Sequence, residues 1–309
     1  MIVVDAFDKL PTKNRIMDLN LPPIEITSDE QFLQHHTLPP LPGIVSKLQE
    51  IIQSDDINIS EISRLVQSDV ALVAQILKIV NSAYFGLKRE VSDLKIAIAF
   101  LGINEIHRIV LSLSVINALG KEDSAILKVY WYHSYYTAII ARMLASRYAR
   151  LLDPEEIWAG ALLHDIGSLF YLKFYPKHFK AIDIVANKRG VLASEAEALL
   201  KFPPSSQFGS ILCTFWKLPQ NIKMACEYHT LDKLDEIRED DPYRDYKRII
   251  TLAASCASFS TEELSPKCKE KIAMQLMKHL ELDNDTFLLL MGEIRDLQKD
   301  VDAFVDTLF

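Results

Sequence analysis

The sequence is poor in glycine and cysteine and contains no long uninterrupted apolar run. Only 9 of its 309 residues are glycine, which disfavours a turn-rich β fold and a glycine-rich phosphate-binding loop. The 4 cysteines show no Cys-x-x-Cys spacing, so we interpret them as reduced, buried thiols of a cytoplasmic protein. No apolar stretch approaches the roughly 18 residues that a membrane-spanning helix needs. These absences predict a helical protein without a membrane segment.

Basic charge is also scarce relative to acidic charge. The net charge of -8 at pH 7 disfavours a general affinity for nucleic acid, because phosphate backbones are bound by basic patches. The N-terminus, from Met1 to Asp5, lacks the basic segment and the long apolar core of a signal peptide. Hydrophobic residues at 49% and charged residues at 25% are typical of a globular domain. We therefore expect a cytoplasmic, globular chain with neither a membrane nor nucleic acid as a general partner.

Apolar residues recur at helical spacing from residue 37 onward, and no segment has the alternation of a convincing strand. The pattern predicts an all-α fold with an N-terminal arm over 1–36, a helical lobe over 37–120, a second lobe over 121–260 and a helical extension over 261–309. In the second lobe and the extension, helices are predicted over 122–150, from Asp153-Pro154 through Asp165, and over 177–188, 191–201, 206–216, 219–230, 248–260, 266–281 and 284–308, with an exposed acidic connection over 231–248.

Polar residues at the ends of the predicted helices have two interpretations. Asn58 or Ser60, and later Ser92, are placed to cap the start of a helix. Asn81 and Ser82 follow an apolar helix, where they either end the helix or bind a ligand. Their spacing alone favours the helix cap.

Histidines outside the second lobe are ambiguous as well. His35-His36 ends the arm, in which prolines leave room for one short helix near Ser28 to Leu33. Tandem histidines bind metals in some proteins, but at a chain boundary we predict that they are solvated. His107 stands among apolar residues, and we interpret it as a histidine of the core or its edge rather than a ligand.

The most informative stretch runs from Trp158 to Gly167 and carries the adjacent pair His164-Asp165 in an almost entirely apolar context. An ionised carboxylate is seldom buried without a partner, because leaving water costs several kcal/mol. The pair is therefore either a metal-ligand pair, since imidazole nitrogen and carboxylate oxygen suit Zn, Fe or Mn, or a structural pair that hydrogen-bonds to neighbouring helices.

A second histidine is predicted to face the same interior. His133 shares a helix face with Tyr130, Thr137 and Ile140, so it points inward from the long aromatic helix. His164 shares its face with Gly160, and a residue this small lets another helix approach closely. Inward histidines on successive helices are able to meet.

Several motifs in order resemble the HDOD family, the HD-related output domains of bacterial signalling proteins. The resemblance covers about residues 37 to 258. It implies an HD-like multi-helix bundle with an N-terminal helical lobe, and an HDOD domain over 37–260. The motifs that carry it are Leu38-Pro39-x-Leu41-Pro42, Leu77-x-x-Val80-Asn81-Ser82-Ala83-Tyr84-Phe85-Gly86, Val91-x-x-Leu94-x-x-Ala97-Ile98-x-x-Leu101-Gly102, Trp131-x-His133-Ser134, Gly160-x-Leu162-Leu163-His164-Asp165-Ile166-Gly167, Trp216-x-Leu218-Pro219 and Tyr228-His229.

The wider HD superfamily holds a divalent metal with a histidine, a histidine-aspartate pair and a later aspartate, and the metal activates water for phosphate-ester hydrolysis. The resemblance makes His133, His164, Asp165 and His229 the candidate metal ligands, with Asp165 the candidate catalytic residue. The sequence departs from that pattern at the late aspartate, where it has Ala253-Ala254-Ser255.

Other parts of the pattern are missing too. Pro204 to Phe208 has no histidine before Gly209, the expected tandem histidine is His229-Thr230, and no Gly-Tyr-Pro motif is present. We therefore expect a vestigial metal site.

Two classes of function follow from the resemblance. The favoured one is a non-catalytic signal-transduction module with no cofactor, which acts through a signalling protein partner or a small ligand such as a nucleotide. The alternative is a phosphohydrolase acting on a nucleotide or phosphodiester, with Mn, Fe, Zn or Mg as its metal and a carboxylate drawn from the acidic 231–245 stretch. A role in nucleic-acid binding would rely on three short basic clusters, at Lys88-Arg89, Lys188-Arg189 and Lys267 to Lys271.

Overall fold

The computed structural model describes residues 21–26, 36–52, 58–82, 85–119, 124–149 and 151–308. These residues form helices and connecting turns, with no strand among them, which confirms the predicted all-α fold. The predicted helix near Ser28 to Leu33, His35, and Ala83-Tyr84 of one motif lie outside the described residues. The helices are α1 Gly43–Ile52, α2 Ile59–Gln67, α3 Val70–Val80, α4 Leu94–Leu101, α5 Ile103–Leu119, α6 Ser124–Tyr148, α7 Pro154–Leu163, α8 Ile166–Phe174, α9 Pro176–Arg189, α10 Ala193–Leu200, α11 Ser205–Phe215, α12 Gln220–Tyr228, a 3₁₀ helix Leu231–Glu236, α13 Arg244–Thr261, α14 Pro266–Leu280, α15 Asn284–Asp296 and α16 Gln298–Leu308.

Local side chains cap the first turns of several helices, as predicted at Asn58. The Asn58 side chain accepts hydrogen bonds from the first turn of α2. Asp69 does the same for α3. The prediction of Ser92 as the cap of α4 is wrong, because the next residue, Asp93, accepts the hydrogen bonds from Lys95 N and Ile96 N. A carboxylate one residue later reaches the free amides of the first turn equally well.

Asn81 ends α3 and uses its side chain to hold the following loop. Its Nδ2 donates to Leu77 O at 2.9 Å and to Val91 O at 2.8 Å, and its Oδ1 accepts from Val91 N at 2.7 Å. Ser82 donates its hydroxyl to Ile79 O at 2.5 Å. The structure therefore confirms the helix-cap interpretation of this pair. The left-handed residue of the segment is Gly86, with φ of 59°.

One apolar core extends through all of these regions. The long helix α6 occupies its centre and packs against α7, α13 and α16, while α5 links the N-terminal helices α1, α3 and α4 to α7 and α8. Helix α16 of the C-terminal extension also contacts α3. The four cysteines are free and buried, as predicted. His107 lies half-buried on α5, which agrees with its interpretation as a core-edge residue.

Among the described residues, no single helix is both long and apolar enough to cross a bilayer. Helices α4 and α5 reach the length and apolar composition of a membrane-spanning segment only when they are counted as one, although a bend of 116° separates them.

The N-terminal segment is packed against the second lobe. His36 lies beside the rings of Phe170, Phe174 and Tyr175, and its Nε2 is 2.9 Å from the Tyr175 hydroxyl. The prediction of a solvated histidine is therefore wrong for His36. The indole of Trp216 donates to Pro39 O at 3.1 Å, which holds the proline-rich entry against the same lobe. Such contacts join positions far apart in the chain, so local patterning does not reveal them.

The acidic connection is shorter and less exposed than predicted. Leu231 and Leu234 of the 3₁₀ helix are buried, and α13 begins at Arg244 rather than at 248. Lys247 is buried in the first turns of α13, where its Nζ is 2.6 Å from Asp241 Oδ2 and 4.1 Å from the centre of the Tyr228 ring. Pairing with a carboxylate and an aromatic ring makes burial of this lysine tolerable. The density of charged residues in the sequence therefore did not reveal how much of this segment is buried.

Two predicted single helices are each divided in two. The C-terminal segment breaks at Leu297 into α15 and α16. The segment carrying the histidine-aspartate pair ends at Leu163 and resumes at Ile166. Asp165 has φ of -112° and ψ of 30°, well away from helical values near -63° and -42°. His164 and Asp165 therefore lie in a turn between α7 and α8, and not within a helix as predicted.

Candidate functional site

The structure brings the four predicted site residues together. They come from three places: His133 from α6, His164 and Asp165 from the turn between α7 and α8, and His229 from the residue after α12. The Nε2 atoms of His133 and His164 are 3.2 Å apart. The ring centres of His164 and His229 are 5.0 Å apart, and His229 Nε2 is 3.9 Å from Asp165 Oδ1. The predicted meeting of His133 and His164 is thus confirmed.

Two backbone carbonyls fix the orientation of the imidazoles. His164 Nδ1 is 2.6 Å from Ala161 O, and His229 Nδ1 is 2.9 Å from Cys226 O. Because a carbonyl only accepts hydrogen bonds, each Nδ1 carries the proton and each Nε2 presents a lone pair. At the contact of 3.2 Å between His133 Nε2 and His164 Nε2, His164 is then the acceptor, and the tautomer of His133 decides whether a hydrogen bond forms.

Burial keeps the imidazoles of His164 and His229 neutral. His164 has 1% of its surface exposed, and this burial is the main cause that lowers its pKa well below 6.5, with the neighbouring charges of His229 and His133 acting in the same direction. Burial also lowers the pKa of His229, although the Asp165 carboxylate partly opposes the change. His164 and His229 therefore supply uncharged nitrogen donors at neutral pH.

Asp165 is satisfied by a local contact. Its Oδ1 accepts a hydrogen bond of 2.6 Å from the Ser168 hydroxyl, three residues later in α8. The Asp165 side chain also retains 22% of its surface exposed, so water shares in its solvation. A carboxylate in this setting needs no metal ion to be tolerated beside an apolar core. Ser168 was not singled out from the sequence, although its spacing of three residues from Asp165 was a usable signal.

The part of α13 where the HD pattern has its late aspartate carries no carboxylate. On α13, Ala253 is buried and Ser255 donates its hydroxyl to Thr251 O at 2.8 Å. Within the described part of the chain, no three side chains of histidine, cysteine, aspartate and glutamate are arranged to hold one ion. The described residues of this helix therefore offer no carboxylate where the HD pattern places its late aspartate.

Two carboxylates of the acidic stretch are engaged in ion pairs of their own. Glu236 is 2.7 Å from Lys233 Nζ, and Asp241 is paired with the buried Lys247. These carboxylates are engaged with lysines of their own neighbourhood. The suggestion that residues 231–245 complete the site thus gains no support from the ion pairs in that stretch.

Glycines bring the elements around the site into close contact. A Cβ atom on Gly160 would lie 1.9 Å from the Tyr246 hydroxyl of α13, and one on Gly167 would lie 1.8 Å from Ser205 O of α11. The expected close approach at Gly160 is confirmed. The equivalent role of Gly167 was not predicted, since nothing in the sequence marks Ser205 as its neighbour.

Comparison with known proteins agrees with this architecture. The family model for the HDOD domain matches residues 38–231. A 192-residue match at 25% identity links the chain to an uncharacterised protein of Treponema pallidum (strain Nichols), covering 62% of this chain. That match covers only 37% of the length of the Treponema protein, so this chain corresponds to a part of its relative.

Solved structures share the fold. An HDOD domain protein of unknown function from Geobacter sulfurreducens superposes with a TM-score of 0.67 at 22% identity, covering 91% of this chain and 97% of the other. A candidate phosphohydrolase from Shewanella amazonensis SB2B also gives 0.67 at 21% identity, with coverages of 91% and 98%. A candidate signal-transduction protein from Marinobacter aquaeolei VT8 gives 0.65 at 20% identity, with coverages of 90% and 61%. The family match extends over more than half of the 309 residues, and the chain belongs to the HDOD domain family.

Proposed function

We propose that this HDOD protein is a signal-transduction module whose HD-type site is degenerate and non-catalytic, and that it acts by binding a protein or small ligand. The lack of a carboxylate at Ala253-Ala254-Ser255, where the HD pattern has its late aspartate, carries the proposal. A metal bound here would lack one negatively charged ligand, and groups that do not touch the ion cannot replace it. The hydrogen bond from Ser168 to Asp165 supports the same conclusion, because it stabilises the remaining carboxylate without an ion.

Names of structural relatives are consistent with either class of function. The Marinobacter protein is named for signal transduction and the Shewanella protein for phosphohydrolysis. At identities of 20% and 21% these names carry no function to this chain, and the likeness supports the fold alone. The choice between the two functions therefore depends on the chemistry of the cluster.

One observation favours the phosphohydrolase alternative. The Nε2 lone pairs of His164 and His229 are both held ready by backbone hydrogen bonds of their Nδ1 atoms. Two atoms that bind one ion at about 2.1 Å lie at most roughly 4.2 Å apart. The His133–His164 and His229–Asp165 separations of 3.2 Å and 3.9 Å both satisfy that limit. Metal loading is the direct way to decide between the alternatives.

Elemental analysis should find no ion at near-stoichiometric amounts, both in protein purified without chelator and after incubation with Mn, Fe or Zn. The missing carboxylate weakens the donor set and leaves its charge unbalanced, which is the reason for this expectation. His133→Ala and His164→Ala test the cluster, and His279→Ala on α14 is the matched control. A near-stoichiometric ion that is lost in the first two variants and kept in the third would overturn the proposal.

His164→Ala is expected to act on stability and not on catalysis. The substitution removes a fully buried ring and its 2.6 Å hydrogen bond to Ala161 O, and we expect a loss of about 2 kcal/mol in the free energy of unfolding. Urea denaturation measures this loss, while hydrolysis of bis(p-nitrophenyl) phosphate is followed in parallel. A variant that keeps its stability but loses a hydrolytic activity present in the parent protein would contradict the proposal.

A further inference from the structure

Residues 21–26, which we call the strap, lie against the second lobe beside His178. His178 is buried on α9, and its Nε2 is 2.9 Å from Pro22 O. Because a carbonyl only accepts hydrogen bonds, the imidazole is the donor in this contact. The ring of His178 packs against those of Tyr175 and Phe202, with ring centres 5.5 Å and 4.8 Å away. A buried donor beside two aromatic rings thus receives the carbonyl of a proline.

Few contacts hold the strap in place. Its backbone forms no hydrogen bond with the backbone of any other described residue. Ile24 and Ile26 pack against the apolar core but are only half-buried, and both prolines of the strap are exposed. Ordering six residues costs conformational entropy that offsets much of what this limited burial contributes. Such a segment can detach while the helices beneath it stay folded.

The strap has the chemistry of a peptide ligand. Its sequence is Leu21-Pro22-Pro23-Ile24-Glu25-Ile26. The two prolines favour an extended backbone and have no N–H group, so at these positions only the carbonyls need partners. Proline-rich peptides commonly dock on aromatic surfaces, because their extended backbone loses little entropy on binding. The contact between Pro22 and His178 therefore has the features of peptide recognition within one chain.

The strap and the surface beneath it belong to different parts of the chain. His178, Tyr175 and Phe202 lie within residues 38–231, which match the HDOD family model, whereas the strap precedes them. When the strap leaves, the His178 N–H loses its acceptor, and a buried donor without a partner is costly. The uncovered surface then favours any segment that supplies a carbonyl and apolar side chains in the same arrangement.

We propose that the surface beside His178 binds an extended, proline-containing segment of a protein partner, and that the strap occupies this surface until the partner displaces it. The inference rests on the protein-binding part of the proposed function and names the chemistry of the partner. It involves none of the side chains of the histidine cluster, so the metal analysis and the peptide experiment below can fail independently.

A fluorescently labelled peptide with the sequence of residues 19–28 is the probe, and its binding to the full-length protein is followed by anisotropy. In the parent protein the tethered strap competes at an effective concentration in the millimolar range, so the peptide should bind weakly. Ile24→Ser with Ile26→Ser weakens the strap and should tighten peptide binding about tenfold. Ile24→Ala with Ile26→Ala is milder and should act in the same direction. Equal binding by the parent and these variants, or binding by none, would overturn the proposal.

Two comparisons then locate the bound peptide. His178→Phe, added to the serine variant of the strap, keeps a ring but removes the donor and should weaken peptide binding several-fold. A peptide with alanine at both proline positions should also bind several-fold more weakly, because it loses its preference for the extended backbone. Unchanged binding in the first comparison would show that the assigned surface is wrong, and unchanged binding in the second would show that the ligand class is wrong.

Ile59→Ser with Ile96→Ser is the matched control for the strap variants. These isoleucines of α2 and α4 are 40% and 57% exposed, and their replacement should leave peptide binding as weak as in the parent. If the control tightens binding as much as the strap variants do, the effect is not one of uncovering the surface beside His178, and the proposal fails.

Light scattering distinguishes a partner from a second copy of this chain. We expect the parent protein to be monomeric, because its own strap fills the surface beside His178. A dimer that Ile24→Ser with Ile26→Ser converts into monomers would show that the strap docks on a second copy, and this result would overturn the proposal.

Discussion

Gly167→Ala is expected to lower the free energy of unfolding by about 3 kcal/mol or more, at the upper end of what overpacking a core costs. A Cβ atom at Gly167 would lie 1.8 Å from Ser205 O and 2.7 Å from Ser205 C. These are backbone atoms at the start of α11, and they have no rotamer by which to move aside. The substitution must therefore separate α8 from α11, next to the turn that holds His164 and Asp165. Urea denaturation followed by circular dichroism measures the loss.

Gly292→Ala is the matched control for this prediction. Gly292 lies in the interior of α15, it is exposed, and a Cβ atom there would have no other atom within 4 Å. Alanine favours the helix over glycine by up to about 1 kcal/mol, so this variant should be as stable as the parent or more stable. The close approach at Gly167 would be contradicted if both substitutions changed stability by less than about 0.5 kcal/mol.

Glu197→Gln is expected to remove much of the dependence of stability on pH between about pH 5 and pH 8. In the folded protein burial raises the pKa of Glu197 from 4.5 to about 8. In this interval the folded protein keeps a proton that the unfolded chain has released, so the native state loses stability as the pH rises. At about 1.36 kcal/mol for each unit of pKa difference, the full effect above pH 8 is roughly 4 to 5 kcal/mol.

Glutamine reproduces the neutral acid. It can accept the hydrogen bond from Ser205 N and has no charge to desolvate, so the variant should equal the parent near pH 5 and exceed its stability near pH 8. Denaturant unfolding at a series of pH values measures the difference. Glu195→Gln is the control, because Glu195 retains 30% exposure and pairs with Lys271, and its loss should cost less than about 1 kcal/mol. Parallel pH profiles for the parent and Glu197→Gln would show that Glu197 titrates normally.

The two predictions concern the same side of the molecule. Ser205 supplies both the carbonyl that faces Gly167 and the amide that binds Glu197. The start of α11 therefore lies between Gly167, next to the turn of the histidine cluster, and the buried Glu197. Gly167→Ala and Glu197→Gln therefore both act on the packing of this backbone segment. Each variant should be checked for structural changes at the other residue.

The sequence by itself determined the helical fold and most of the candidate site. Apolar periodicity predicts the helices, because a helix in a globular protein buries one face. Inward placement of His133 and His164 follows from the same periodicity, and the motifs around them indicate the HDOD family. Caps such as Asn58 are equally local, since a side chain reaches the amides of only the next turn.

Only the tertiary structure decided the features that depend on distant partners. It broke the helix at Asp165, and it placed His229 within 3.9 Å of Asp165 although 64 positions separate them in the sequence. It also packed His36 against the second lobe and buried Glu197 behind Ser205. Which groups meet, and how far each is removed from water, depends on how whole helices pack, and that information is spread over the entire apolar core rather than held in any one segment.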